Sequence, residues 1–510
     1  MNPQDEYGIS GIALYVPPYR VKLDDWCAWT GNDWDKTRAV VGASFRLRGP
    51  HDSVYTLAAE AALKLILDHA VDPRRIGLLI LATESSTDNA VGAVIVRGLL
   101  DQALAAHGLP PLARDCEVPE YKQACLAGLY GIKGAVRYLA HDGAERQALV
   151  ICADIAEYQR GSTGEPTQGA GAVALLMERA PKLLALDLAR GGSASSYRIA
   201  DFRKPFLRYA GQTPGTHGRL TDFPVFNGKY STACYLDEVI CAFDALFARH
   251  PGRRVEYLRQ LAAAFMHRPY HHMPIAAWGM VYLFALAADG GAAHEELGAY
   301  AAAAKIALPE LLAEMRRRPD LARAVVRGRS APEEAYPLAA VALKAFRRTP
   351  KYAEFVEDKL RLGATPMMHL GNLYSAALPA WLAAGLEEAA TQDLPLAGRE
   401  LLLVGYGSGD AAEAIPARVV PGWKAAAARI GFARSLEGAV DLNRAQYELL
   451  HEGRTPPDLP EPRTAGFAIE QVGQAQSGRF QDYGIEYYRY RAGAAPHAAP
   501  RTAAAASLVS

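Results

Sequence analysis

The chain has 510 residues, half of them apolar, with 55 basic and 55 acidic side chains. That composition supports a sizeable core and excludes global disorder. A formal net charge of zero, without a long basic run, argues against nucleic acid or an anionic membrane as the main partner. The cysteines at 27, 116, 125, 152, 234 and 241 form no Cys-x-x-Cys pair. They fit reduced thiols in a cytosol better than a disulfide framework or a zinc site. No basic-then-apolar leader opens the chain, and no apolar run approaches the roughly 20 residues of a membrane span. A cytoplasmic protein is expected.

Residues 8–17 read as a strand ending in Pro-Pro. The segment 18–50, with Trp26, Trp29 and Trp34 among many charges, reads as short helix and loop near the entrance of a site. Residues 53–70 form an amphipathic helix on Val54, Leu57, Ala58, Ala61 and Leu65. The apolar run from Ile76 to Ala82 is a buried strand that leads directly into Glu84. Sites in open α/β sheets gather at such strand ends, although position alone equally allows Glu84 to face solvent. A helix over 91–106 follows.

The stretch Glu120 to Gly134 then approaches Cys125 in an extended form and turns helical on Leu126, Leu129, Tyr130, Val136 and Leu139. Gly128, Gly131 and Gly134 share a face, and each costs up to about 1 kcal/mol relative to Ala in a helix. They predict a helix packed too closely for side chains. At its first turn Cys125 would meet unpaired N–H groups and the positive dipole end, which favour a thiolate. A sulfur nucleophile is prepared in this way; a free cysteine is equally a small buried hydrophobe.

Residues 148–156 are another buried strand. A loop rich in Gly and Thr, Gly161 to Ala172, leads into a strand over 172–177, without the Gly-Lys-Ser/Thr ending of a P-loop. A strand at 183–188, a helix over about 235–262, a strand at 262–266 and another at 401–406 echo this order. An internal duplication is expected, with halves at 8–180 and 181–490 and a helical insertion at about 285–350. Residues 481–491 read as a late sheet strand and 492–510 as a disordered tail. His267 follows the strand that ends at Met266. Such a histidine is usually structural, and the adjacent His271 and His272 do not point the same way, so no metal is expected.

With Glu84, Cys125 and His267 in hand, the chain resembles the hydroxymethylglutaryl-CoA synthases, condensing enzymes of the thiolase superfamily. Ala82-Thr83-Glu84-Ser85 resembles their general acid/base segment, and Ala124-Cys125 their acylated cysteine. Gly164 to Ala172 resembles their Gly-rich loop. Phe226 to Ser231 with Cys234-Tyr235-Leu236, His267-Arg268-Pro269-Tyr270, Gly371-Asn372-Leu373-Tyr374 and Gly405-Tyr406-Gly407-Ser408-Gly409 follow in the family's order. The resemblance implies an α/β fold, a duplicated five-layered αβαβα thiolase-like architecture, with an added helical region. It implies that Glu84, Cys125 and His267 are catalytic, and that Thr167, Ser231, Asn372, Tyr374 and Ser408 bind substrate. Acetyl-CoA would acylate Cys125, Glu84 would take a methyl proton, and the carbanion would attack acetoacetyl-CoA, whose ketone His267 and Asn372 polarise. Hydrolysis would release 3-hydroxy-3-methylglutaryl-CoA, as in the mevalonate route of isoprenoid biosynthesis. A homodimer without metal or organic cofactor is implied.

The family's lysines after the histidine are missing here: the run reads His271-His272-Met273-Pro274-Ile275-Ala276-Ala277-Trp278. Arg268, His271 or His272, or Arg327, Arg329 or Lys344 from the helical region, are the candidates to replace them. The departure leaves a second reading open, a polyketide β-branching synthase that takes acetoacetyl groups from an acyl-carrier protein. A non-catalytic thiolase-fold scaffold is a third, against which the joint presence of Glu84, Cys125 and His267 argues.

Overall fold

The computed structural model describes residues 6–143, 145–206, 222–225, 227–321, 335–460 and 465–493. The first strand, β1 (Tyr7–Tyr15), is buried along nearly its whole length, because helices cover both faces of the sheet it enters. β2 (Tyr19–Lys22), α1 (Leu23–Thr30), α2 (Trp34–Val40) and β3 (Ser44–Leu47) follow. The short helices of this segment were expected; the two strands were not, being too short for alternation to register. A capping box of Ser53 and Thr56 starts α3 (Val54–Asp68). Then come β4 (Ile76–Ala82), α4 (Gly92–Ala106), β5 (Glu120–Tyr121), α5 (Ala127–Ala140), β6 (Gln147–Ala156) and β7 (Gly169–Arg179).

The second run begins with β8 (Leu184–Leu186), β9 (Gly192–Ser195), α6 (Gly228–Phe247), α7 (Arg254–Gln260) and β10 (Ala263–Met266). The single helix expected over 235–262 is thus two. His250-Pro251-Gly252 separates them, with Gly252 at a φ of 118° and a proline that cannot continue a helix. The helical region comprises α8 (His272–Asp289), α9 (Ala292–Ala303), α10 (Leu308–Arg316) and α11 (Pro337–Phe346), and so begins earlier than position 285. It is followed by α12 (Ala377–Thr391), β11 (Glu400–Gly407), β12 (Ala411–Val419), β13 (Val440–Asp441), β14 (Gly466–Val472) and β15 (Glu486–Arg491). β15 pairs with β14 in a separate ribbon rather than joining the large sheet. Of the expected tail, residues 494–510 lie outside the described residues.

The large sheet runs β10-β11-β12-β8-β1-β7-β6-β4-β5, with β9 also on β12. Its two ends share one pattern. β4 pairs parallel with β6, which pairs antiparallel with β7, which pairs antiparallel with β1. β10 pairs parallel with β11, which pairs antiparallel with β12, which pairs antiparallel with β8. The halves meet where β8 joins β1 at Gly8–Ala185 and Ile9–Leu184.

α3 and α4 cover the outer face of the first half, and α6 and α8 that of the second; α5 and α12 fill the middle. These are the five layers of a thiolase-like fold. The three glycines of α5 permit the central contact. A Cβ on Gly128 would lie 2.6 Å from the carbonyl oxygen of Ser375, one on Gly131 3.0 Å from Val150, and one on Gly134 2.7 Å from the Tyr121 hydroxyl. Among the described residues no helix is long and apolar enough to cross a membrane.

Candidate active site

The matched topology fixes where the reactive groups stand. Glu84 follows β4 and His267 follows β10, the equivalent strands of the two halves, and Cys125 precedes α5 as Asn372 precedes α12. All four therefore converge where the strands of both halves end. The chain reaches Cys125 through Ala124, held at a φ of 47°. A non-glycine residue in the left-handed region costs on the order of 1–3 kcal/mol and persists only where its surroundings impose it. Here β11 presses from the other side: a Cβ on Gly407 would lie 2.4 Å from the Gln123 carbonyl oxygen.

The Cys125 thiol donates to Oε2 of Glu84 at 3.0 Å. Glu84 keeps partial surface exposure, but burial of its carboxyl, opposed by the Cys125 hydrogen bond and reinforced by the charge of Asp154, raises its pKa to about 8. Burial, then the charge of Glu84 and the hydrogen bond to it, push the Cys125 thiol well above its ordinary value. This corrects the expectation of a thiolate prepared by the helix N-terminus. Sγ faces the Glu84 carboxyl, and the thiol keeps its proton in the hydrogen bond to it.

Asp154, which sequence reasoning passed over, holds Glu84 in place. Its Oδ1 accepts from the Thr83 hydroxyl at 2.9 Å and from the backbone N–H groups of Glu84 and Ser85 at 2.8 Å. Its Oδ2 accepts from the backbone N–H of Ser375 at 3.0 Å, tying the two halves together. The signal was an acidic residue inside the apolar run Val150-Ile151-Cys152-Ala153-Asp154-Ile155-Ala156. Tyr158 and Phe202 were also missed. With Tyr374 they form a mutual ring cluster around Cys125, with centroids 5.8–6.3 Å apart. No local pattern marks either residue.

His267 is 2% exposed, and burial lowers its pKa to about 3, so its imidazole is neutral. The Tyr235 hydroxyl donates to its backbone carbonyl at 3.0 Å, and its Nδ1 has no hydrogen-bond partner among the described residues. Oδ1 of Asn372 accepts from the Tyr374 N–H at 2.9 Å, and its own N–H donates to the Thr167 carbonyl at 2.9 Å. Two glycines allow that approach. A Cβ on Gly169 would meet the Asn372 carbonyl oxygen at 2.4 Å, and one on Gly371, at a φ of 75°, the Gln168 carbonyl oxygen at 1.7 Å.

A cavity of about 770 Å³ opens onto these groups. Cys125, Thr167, Ser231, His267, Asn372, Tyr374 and Ser408 all line it, and Glu84 adjoins it through Cys125. Of the candidates for the missing lysines, Lys344 lines the cavity, joined by Lys36 and Arg347, which the sequence did not single out. Arg268 does not. It is buried against the Trp381 ring and donates to the Ala364 carbonyl. His271 pairs with Arg268 and His272 with Arg347, and burial lowers the pKa of both, so neither replaces the charge of a lysine. Arg327 and Arg329 lie outside the described residues.

Among the described residues Asp201, Cys234 and Asp410 come close enough to hold a cation. The Tyr406 hydroxyl donates to Asp201 at 2.7 Å, and burial together with Asp201 pushes the Asp410 carboxyl up to about 9. The Arg198 guanidinium lies 3.7 Å from the Asp410 carboxyl and opposes a cation there.

A paired carboxyl and thiol at the joint strand ends of a duplicated thiolase-like sheet define an acyl-transferring condensing enzyme. Similarity to known proteins narrows the class. Residues 2–181 match the family model described as hydroxymethylglutaryl-coenzyme A synthase N terminal. The hydroxymethylglutaryl-CoA synthase of Enterococcus faecalis is 26% identical over 445 residues, 87% of this chain and 91% of that protein. The structure of MvaS in complex with 3-hydroxy-3-methylglutaryl coenzyme A superposes with a TM-score of 0.70 at 26% identity, over 95% of this chain and 99% of that one. The curacin biosynthetic pathway HMG synthase in complex with holo donor-ACP shares the fold, with a TM-score of 0.67 at 19% identity over 95% and 100%. The chain is thus similar to hydroxymethylglutaryl-CoA synthases over most of its length, and its residues 2–181 match the N-terminal model of that family.

Proposed function

We propose that the protein condenses acetyl-CoA with acetoacetyl-CoA to give 3-hydroxy-3-methylglutaryl-CoA and free CoA. The observation that carries this reading is the Cys125–Glu84 hydrogen bond at the mouth of a cavity that also holds His267 and Asn372. Cys125 attacks the acetyl thioester while its proton passes to Glu84, and CoA leaves with a proton. Glu84, ionised again, takes a proton from the acetyl methyl group. Its raised pKa makes it a stronger base than an exposed carboxylate. Backbone N–H groups at Cys125 and in the Ser408 loop stabilise the enolate oxygen. The carbanion adds to the acceptor ketone, and the N–H of neutral His267 and the Asn372 amide stabilise the alkoxide. Thr167, Ser231 and Tyr374 position the acyl groups. Water then hydrolyses the Cys125 thioester. The roles fall to side chains and backbone N–H groups of this protein and to water, so the reading calls for no metal or organic cofactor.

In this reading the enzyme works as a cytoplasmic homodimer in a route such as the mevalonate pathway. The unpaired state of all six cysteines supports a reducing compartment. The second reading, condensation on an acyl-carrier protein, draws on the curacin synthase seen with a donor carrier protein. One assay separates them: acetyl-CoA plus an acetoacetyl group on coenzyme A or on a carrier protein, with product followed by mass. Turnover with acetoacetyl-CoA is expected; turnover only with the carrier-bound form would establish the second reading instead.

A further inference from the structure

The cavity extends past the reacting groups into the added helical region. α8 and α11 run antiparallel along it. Arg347 meets His272 at 3.0 Å at one end, Leu343 packs over Gly279 in the middle, and the Tyr336 ring rests on Phe284 at 4.8 Å at the other. The two ends differ in chemistry. Lys344, Arg347 and Lys36 line the end at the start of α8, where the Val41 carbonyl accepts from the His271 N–H. From Met273 to Met280 the wall turns apolar, with Leu236, Ala340 and Leu343 facing the same space. Met273 and Met280 are two helical turns apart, about 10 Å.

A coenzyme A or carrier-borne phosphate fits only the cationic end, from which the pantetheine arm must run to Cys125. The amides of that arm need hydrogen-bond partners, which the methionine, leucine and alanine side chains of the other end do not supply. We propose that this apolar arm of the cavity, between α6, α8 and α11, holds an alkyl chain. The preferred acceptor is then a 3-oxoacyl thioester whose substituent is longer than the methyl group of an acetoacetyl group, with acetoacetyl-CoA a slower substrate of the same site. The proposal rests on the condensation reading and leaves its chemistry unchanged. The enolate carbon bonds to C3 of the acceptor, the alkoxide takes a proton, and water cleaves the Cys125 thioester. The product is a 3-hydroxy-3-alkylglutaryl thioester.

Two measurements on the full chain test this separately from the condensation itself. The first is the Kd of octanoyl-CoA against acetyl-CoA on the Cys125→Ala variant, by calorimetry. Each buried methylene tightens binding by up to about fourfold, so octanoyl-CoA is expected to bind at least about tenfold more tightly. Ala340→Phe, added to that variant, is expected to remove most of the difference. Equal Kd values, or a difference that Ala340→Phe does not touch, overturn the proposal. The second is kcat/KM of the unaltered enzyme for 3-oxooctanoyl-CoA against acetoacetyl-CoA, with acetyl-CoA as donor. A preference for the longer acceptor is expected, and a preference for acetoacetyl-CoA overturns the proposal. Tight octanoyl-CoA binding with no acetylation of Cys125 would uphold the alkyl site and overturn the condensation reading instead.

Discussion

The Cys125 thiol lies 3.0 Å from Oε2 of Glu84 and donates to it, so thiol and carboxyl form one hydrogen-bonded pair. Burial raises the pKa of both groups, Glu84 raises that of Cys125 further, and the Cys125 hydrogen bond opposes the rise at Glu84. In the proposed reaction, transfer of the thiol proton to Glu84 accompanies acylation. In that reaction an acetyl group on Sγ would remove the carboxyl's partner and place the methyl group beside Glu84.

Replacement of the sulfur tests the first step. Cys125→Ser is expected to abolish the acetyl adduct that acetyl-CoA leaves on the protein, read by intact-protein mass. An adduct of unchanged stoichiometry would remove Cys125 from the mechanism.

The two uses of Glu84 separate by step. Glu84→Ala is expected to leave slow acetylation of Cys125 measurable, because the thiol loses a neighbouring negative charge that opposes its ionisation. Condensation loses its base and falls by about 10²–10⁴-fold. Pre-steady-state acylation and steady-state turnover, measured on the same variant, compare the two losses; equal losses would contradict the assigned base.

The raised pKa of Glu84 has a sign in both activity and stability. The base must be ionised, so kcat/KM is expected to rise with pH toward a plateau above an apparent pKa of about 8. For stability, the folded value of about 8 exceeds the reference value of 4.5. The unfolded chain thus releases this proton first. The contribution of Glu84 is fully present below about pH 4.5 and is lost as pH rises through about 8. Glu84→Gln removes the titration, so its Tm relative to the parent is expected to climb between pH 5 and pH 8. A constant offset across that range would contradict the burial-raised value.

Burial alone holds the pKa of His267 near 3, so its proposed role is that of a neutral donor. His267→Ala is expected to leave acetylation of Cys125 intact and to cost about 10²–10³-fold in turnover of the acceptor, the range for loss of one donor to a developing oxyanion. The parent enzyme should show no imidazole titration between pH 5 and pH 7 in that step, followed by the acceptor's kcat/KM profile.

Much of this site was legible because its residues sit where the hydrophobic pattern stops. Ile76–Ala82 and Ala263–Met266 are uninterrupted apolar strands, so the polar residues just beyond them, Glu84 and His267, stand out. The glycine spacing of α5 announced a close helix contact, and Gly128 meets Ser375 as that spacing required. The equivalence of the halves was only faintly legible, because it lies in strand pairing rather than in residue identity. Asp154 was visible as a charge in a core strand, but its partners Thr83, Ser85 and Ser375 are brought to it only by folding. Tyr158 and Phe202 gave no sign, since an aromatic residue that closes a cavity looks like one that fills a core. The expected thiolate failed because a helix N-terminus is a local feature, whereas the carboxylate that governs Cys125 arrives from 41 positions away.

Gly371 is the clearest structural test of how the halves meet. Its φ is 75°, and a Cβ added there would lie only 1.7 Å from the Gln168 carbonyl oxygen, which leaves no room for a side chain. Gly371→Ala is expected to destabilise the protein by about 2–4 kcal/mol in denaturant unfolding. It should also raise the KM for acceptor more than it lowers Cys125 acetylation, because it displaces Asn372 and its bond to Thr167.

The missing lysines make a last prediction. Lys344 and Arg347 line the cavity end nearest α2, whereas Arg268 is turned inward onto Trp381. If the phosphates of the acyl carrier are held by these helical-region cations, Lys344→Ala and Arg347→Ala should each raise the KM for the CoA thioester by about two- to fivefold. The effect should shrink as salt rises, since exposed charges are screened over about 10 Å at 0.1 M ionic strength. Acyl-pantetheine, which lacks the nucleotide phosphates, should be used equally well by the parent and by both variants. Equal losses with CoA and pantetheine substrates would show instead that these side chains support the packing of α8 against α11.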